Sequence, residues 1–223
     1  MRKLLLTTAA VAAAIAGAVA GEPSFGTFTD TRDGQTYKTV KIGKQTWMAQ
    51  NLNYLPPKGK SWCYNNDTSY CNKYGRLYDW HTAKKACMNG WHLPTSQEWD
   101  NLGKAVGGEI SWITTSVPRT YWLGAGKKLK AKSGWKRNIV DSVSGNGTDD
   151  FGFSALPGGR RITNYGFNLV GERSYWWTPD LPPPVYAGNW AYTRELYNDS
   201  DELGEQGDIF SYGFSVRCVA DTP

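Results

Sequence analysis

The sequence predicts an α+β domain with two helices, short antiparallel sheets and long loops rich in Gly, Trp and Tyr. Three observations carry this reading. Helical stripes stand on either side of a Gly-Trp-His-Leu-Pro-Thr corner at residues 90–95. Alternating segments occur near the start and at the end of the chain. The chain holds 25 Gly, 11 Trp and 13 Tyr, while aliphatic residues are sparse. That composition suits a loop-rich extracellular domain with a Trp-built core, not a doubly wound enzyme with long Val/Ile strands.

Residues 1–20 read as a signal peptide. Arg2 and Lys3 precede an uncharged apolar run from Leu4 to Val19, and Ala18-Val19-Ala20 is a small-x-small cleavage site. A membrane anchor would need roughly 20 apolar residues without that site, and no later stretch is apolar enough to span a bilayer. No cysteine follows the run to take a lipid. The mature chain is therefore expected to be secreted, periplasmic or at the cell surface. Residues 21–32 form a short N-terminal segment, and residues 33–223 a single domain of ordinary size. Loss of Arg2 and Lys3 leaves 23 basic against 20 acidic residues. These charges are dispersed, so nucleic acid is not an expected partner.

The elements follow in order. Asp33-Gly34 signals a turn. Val40 and Ile42 alternate with Thr39 and Lys41, and Gly43-Lys44 turns the chain back toward Trp47, a hairpin. Residues 53–75 carry too much Pro, Asn and Gly for either regular element. Trp80, Ala83 and Cys87 recur at i, i+3 and i+7 as the stripe of a first helix, which Asn89-Gly90 ends. Thr95 and Glu98 form a capping box, and Trp99, Leu102 and Val106 give the buried stripe of a second helix. Roughly 100 residues of Gly, Trp and Tyr follow without a repeat; within them "DDFGFSALPGGRR" and "RSYWWTPD" read as short strands, and Pro182-Pro183-Pro184 as a stiff spacer. At the end, Tyr212, Phe214, Val216 and Cys218 share one parity against Gly213, Ser215 and Arg217, a half-buried strand.

Four cysteines in an exported chain favour disulfides, with three pairings open. Cys63 and Cys71 bracket a polar loop and suit a local pair. Cys87 would then join Cys218, tying the inner face of the first helix to the terminal strand. The absence of Cys-x-x-Cys speaks against zinc or thioredoxin-like chemistry.

Seven ordered motifs carry a resemblance. They are "DGQTYKTVKIGKQTWMAQNLNY", "SWCYNND", "YGRLYDW", "GWHLPTSQEWDNL", "GKKLKAKSGW", "NGTDDFGFSALPGG" and "YGFSVRCV". Together they resemble the Fibrobacter succinogenes major paralogous domain, from about Asp33 to the C-terminus. More distantly, the Trp-x-x-Ala-x-x-x-Cys helix, the Leu-Pro-Thr-x-x-Glu-Trp corner and the Arg-Cys terminal strand are similar to the C-type lectin fold. The corner is also similar to that of formylglycine-generating, sulfatase-modifying enzymes. The lectin resemblance implies a C-type-lectin-like scaffold and the same Cys87–Cys218 pair.

The enzyme relatives bind copper through a reactive cysteine pair late in the chain, where this sequence has Cys218 alone. His81 and His92 flank helix termini without ligand spacing, so no catalytic residue is assigned and no enzyme is expected. The Asp-rich "NDSDELGEQGD" fails as an EF-hand, because Leu203 and Phe210 take ligand positions. Asp149 and Asp150 are the weaker calcium candidates, and otherwise no cofactor is implied. Lectin-type calcium triplets (Glu-Pro-Asn or Gln-Pro-Asp) do not occur. The binding candidates are aromatic: Tyr175, Trp176 and Trp177, of which at least one should point away from the core, with Trp190 and Tyr192 sharing parity on the next segment. Exposed rings stack on sugars and anchor interfaces. The expected function is a non-catalytic, exported binding module whose partner is a polysaccharide. The second reading is a protein-interaction or structural component of a cell-surface assembly. An oxidase related to the formylglycine-generating enzymes comes third.

Overall fold

The computed structural model describes residues 23–113, 119–186 and 188–221. Residues 1–20, expected from the sequence to be a signal peptide, lie outside the described residues. The fold is α+β, with four helices and two mostly antiparallel sheets among the described residues. Its strands, in chain order, are β1 (Ser24–Thr29), β2 (Thr36–Ile42), β3 (Gln45–Met48), β4 (Ser61–Trp62), β5 (Leu77–Tyr78), β6 (Trp91–His92), β7 (Glu109–Ile113) and β8 (Arg119–Leu123). The second half adds β9 (Gly158–Ile162), β10 (Gly166–Val170), β11 (Arg173–Trp177), β12 (Trp190–Tyr197), β13 (Leu203–Ile209), β14 (Phe214–Ser215) and β15 (Val219–Ala220). The helices are α1 (Thr68–Tyr74), α2 (Trp80–Ala83), α3 (Ser96–Ala105) and α4 (Ala125–Leu129).

The smaller sheet runs β1-β2-β3-β15-β6. Its β2–β3 hairpin turns at Gly43-Lys44 and sets Val40 opposite Trp47, as the alternation predicts. The segment before Asp33 joins this sheet, because β1 pairs along β2 from Ser24↔Lys41 to Thr29↔Thr36. The larger sheet runs β4-β5-β14-β11-β12-β13-β8-β7, with β9 and β10 branching from β11. Contacts of β11 with β14 and β9 are its parallel pairings.

Two cores lie against opposite faces of β11. One gathers Val40, Trp47, Trp99, Leu102, Phe153, Trp176 and Leu196. The other gathers Tyr37, Met48, Trp80, Ala83, Tyr175, Trp177, Phe214 and Val216. Along Tyr175–Trp177 β11 is covered on both sides, so neither parity faces water there.

Several sequence expectations change for stated reasons. The first helix is four residues long, α2, and continues through Lys84–Ala86 as tight turns, so Cys87 lies beyond it. Residues 53–75, expected to be irregular, contain β4 and α1; Asp67 caps α1 by accepting a hydrogen bond from the Ser69 amide. Only the end of "DDFGFSALPGGRR" is a strand, and residues 184–186 of the Pro-rich spacer form a 3-10 turn. The terminal segment is buried on both faces, not one. Arg217 is 1% exposed, with its guanidinium donating to Asn51 Oδ1 and to the Phe153 carbonyl, and lying over the Phe153 ring. Burial without a carboxylate partner in contact pushes its pKa down to about 9.

The expected disulfides, Cys63–Cys71 and Cys87–Cys218, are both present. The capping box forms as predicted: Thr95 Oγ1 accepts from the Glu98 amide, and Glu98 accepts from the Thr95 amide.

Candidate functional site

The aromatic run on β11 is not a surface platform. Tyr175, Trp176 and Trp177 are 1%, 0% and 0% exposed. Trp176 enters the core with Trp99 and Phe153, and its Nε1 donates to Asn51 Oδ1. Trp177 enters the other core, with Nε1 donating to the Tyr78 carbonyl. The expectation that one ring points to solvent fails because the second face of β11 is covered by its own hydrophobic layer.

Register, not ring exposure, builds the open polar site. In the β11–β12 pair, Tyr175 stands opposite Glu195 and Arg173 opposite Tyr197. In the β12–β13 pair, Thr193 stands opposite Gln206 and Ala191 opposite Asp208. Residues directly opposite share a face, so one face of the sheet carries Arg173, Tyr175, Thr193, Glu195, Tyr197, Gln206 and Asp208. Arg160 of β9 closes the side. All of these except Thr193, together with Gly207, line a cavity of about 210 Å³.

The arginines in this cavity are held by rings. Arg173 lies 4.0 Å from the Tyr197 ring centre and Arg160 lies 5.1 Å from that of Tyr175. Arg173 Nη1 also donates to the Tyr175 hydroxyl, and Arg160 Nε to Asn168 Oδ1. Among the described residues neither arginine forms an ion pair. The acids are the buried members. Glu195 is 3% exposed; burial, countered by a hydrogen bond with Tyr197 and reinforced by the charge of Asp208, pushes its carboxyl up to about 7. Asp208 is likewise raised by burial, although Thr193 Oγ1 donates to it at 3.0 Å. Burial also raises the Tyr197 hydroxyl well above its ordinary range. Beneath this end of β12, buried Lys130 donates to the carbonyls of Tyr197 and Ser200 and fixes the strand's exit.

A second cleft of about 460 Å³ adjoins the first, sharing Gly207 and Asp208. Trp190, Arg119, Ile209 and Tyr212 form the rest of its wall. The Trp190 ring sits over Gly207, where an added Cβ would meet it at 2.5 Å. Trp190 and Tyr192 contact edge to face at 5.6 Å, as their shared parity predicts. Tyr192 itself faces a different depression, with Thr95, Ser96, Asp100, Asp180 and Glu205. Arg194, on the covered face of β12, is paired there with Glu205 and Asp100 at 2.6 and 3.1 Å.

A further cavity, about 650 Å³, lies between β1–β2, α1 and the 149–154 loop. Its polar floor is already satisfied, since Asn51 and Arg217 bond each other and the core. Asp149 and Asp150, the calcium candidates, stand at its wall. The Asp149 carboxylate accepts from the amide and hydroxyl of Ser154, which occupies both its oxygens. No group of three or more His, Cys, Asp or Glu able to hold a metal occurs among the described residues. His92 is tied to Asp221 and Glu98 at 2.6 and 2.8 Å, and His81 packs edge-on to Trp80 and Phe210.

The family model of the Fibrobacter succinogenes major domain matches residues 40–220. The chain belongs to that family. No curated protein and no solved structure matches the chain significantly. Within this major domain, the match runs from β2 to β15 and so contains every residue of the paired clefts.

Sequence reasoning missed Arg119, Arg160, Arg173, Glu195, Tyr197, Gln206 and Asp208. A partial signal existed in "WAYTRELY": it carries Arg194 on one parity and Glu195 on the other, which a strand with one apolar face would not do.

Proposed function

We propose that this major domain is an exported, non-catalytic binding module that takes a carbohydrate along the paired clefts of β11–β13. The observation that carries it is a cavity walled by two arginines, two tyrosines and a buried glutamate; the cleft at Trp190, on the opposite parity of β12, shares Gly207 and Asp208 with it. Sugars present apolar faces to rings and hydroxyls to such mixed donors and acceptors. The non-catalytic reading is supported by the cysteines: both pairs are oxidised, which leaves no thiolate for the copper chemistry of the formylglycine-generating enzymes. Disulfides of this kind also suit an exported protein. A C-type-lectin-like scaffold is part of the proposal. It rests on the Leu93-Pro94-Thr95 corner and on the disulfide that joins the end of the α2 region to the chain's last strands.

A glycan array probed with the mature chain tests the reading. Binding should be lost in Arg173→Gln and Trp190→Ala while the melting temperature of Arg173→Gln is kept. An array without signal would remove the carbohydrate reading.

A specific observation favours the second reading, a component of a cell-surface assembly. Strand β7 is an edge of the larger sheet, where Ile110 and Trp112 are 43% and 64% exposed, and Leu123 on the neighbouring β8 is 40% exposed. Such an edge offers unpaired backbone groups to another chain. Loss of self-association or co-purifying protein on Trp112→Lys, with glycan binding absent, would favour it.

A further inference from the structure

We propose that the smaller cleft reads a carboxylate, so that the ligand is an acidic polysaccharide presenting uronate residues. This rests on the carbohydrate reading above and names its substrate class.

The argument starts from charge. Arg160 and Arg173 both line the cavity, and neither forms an ion pair among the described residues. Each guanidinium lies against a tyrosine ring, Arg160 on Tyr175 and Arg173 on Tyr197, with no carboxylate among the described residues in ion-pair contact. Arg119 adds a third cation at the neighbouring cleft. The facing groups are the buried Glu195 and the half-buried Asp208, whose carboxyls burial raises while Arg173 and Arg160 respectively draw them back. Across the two clefts three arginines stand against two acids, which leaves a surplus of positive charge in a small, partly desolvated space. A planar carboxylate matches the guanidinium fork with two parallel hydrogen bonds, and a protonated Glu195 can bond the neighbouring sugar hydroxyls as donor and acceptor.

Size gives the second argument. Drug-sized sites run from roughly 300 to 1,000 Å³, and the arginine cavity, at about 210 Å³, lies below that range. It suits one sugar residue. The adjoining cleft, about 460 Å³ and walled by Trp190, is where further residues of the chain would lie. The anionic residue therefore sits between Arg160 and Arg173.

The test is calorimetric titration of the mature chain with oligogalacturonate and with glucuronate-bearing oligosaccharide, against fully methyl-esterified oligogalacturonate and a neutral xylo-oligosaccharide. One acidic oligomer should bind at least tenfold tighter than its neutral counterparts, with affinity falling as salt rises. Arg173→Gln and Arg160→Gln should each cost tenfold or more toward the acid, with circular dichroism unchanged. Arg173→Lys keeps the charge but loses the fork, and should recover only part of the loss. Equal binding of acid and ester, or binding indifferent to both arginines, would overturn the carboxylate while leaving a sugar site. Binding of no oligosaccharide would overturn the reading beneath it as well. Tighter, arginine-dependent binding of a poly-glutamate peptide would place the carboxylate on a protein and also overturn the proposal.

Discussion

Trp176 and Trp177, neighbours on β11, fill two different hydrophobic cores on opposite faces of the same sheet. Each indole N–H is spent inside the protein, one on Asn51 and one on Tyr78. Neither ring can be removed without leaving a cavity, and loss of Trp177 also takes the indole donor from the Tyr78 carbonyl. Trp176→Ala and Trp177→Ala are both expected to lose roughly 3–5 kcal/mol. Denaturant titration checks this; a variant that keeps the parent's midpoint would show that one face of β11 is not a core.

The two disulfides should differ in weight. Cys87 and Cys218 are separated by 131 residues and Cys63 and Cys71 by 8. In the chain-entropy model the long link contributes about 5 kcal/mol and the short one roughly 2–3 kcal/mol. The double variant Cys87→Ala/Cys218→Ala should therefore melt well below Cys63→Ala/Cys71→Ala. The reverse order in calorimetry would refute the estimate.

His92 links the smaller sheet to the capping box of α3 and to Asp221. Burial opposes its charge, but hydrogen bonds to Asp221 and Glu98, and then their charges, outweigh it and raise its pKa. A raised folded pKa gives stability that is complete below the unfolded value, about 6.5, and is lost as pH rises through the folded one. The side chain is 39% exposed, so screening holds the effect under about 1 kcal/mol. The melting temperature should exceed that of His92→Gln at pH 5.5 and converge with it at pH 9. A constant difference between those pH values would sink the claim.

Glu195 predicts a second pH dependence in the same direction. Its carboxyl rises from 4.5 to about 7, chiefly by burial. The folded protein therefore holds this proton more tightly than the unfolded chain, and stability should fall as pH rises from about 4.5 to 7. Glu195→Gln should flatten that part of the profile. A profile that keeps its slope in the variant would show that Glu195 is ionised in the fold without cost.

Gly207 separates ring position from charge in the proposed site. Gly207→Ala would place a methyl 2.5 Å from the Trp190 ring and push it aside, while every ionisable group stays. Any oligosaccharide held by the parent should bind the variant at least tenfold more weakly. Titration showing unchanged affinity would remove Trp190 from the contact surface.

What the sequence determined by itself was local. The Gly43-Lys44 hairpin, the Thr95–Glu98 capping box and the α3 stripe of Trp99, Leu102 and Val106 follow from neighbours a few residues apart, whose geometry is set by backbone periods and hydrogen bonding. The disulfides were legible because oxidation demands a partner for each of only four cysteines. What the tertiary structure alone decided was coverage and register. Alternation in "RSYWW" and "SYGFSVRCV" announces two faces of a strand, but only packing shows that both faces are covered, so Trp176 and Arg217 are interior. The candidate site depends on Tyr175 standing opposite Glu195 and Thr193 opposite Gln206. Strand periodicity places a side chain on one face or the other but does not say which residue of another strand it meets. That choice comes from the hydrogen-bond ladder and the cores on both sides, which depend on residues far apart in the chain.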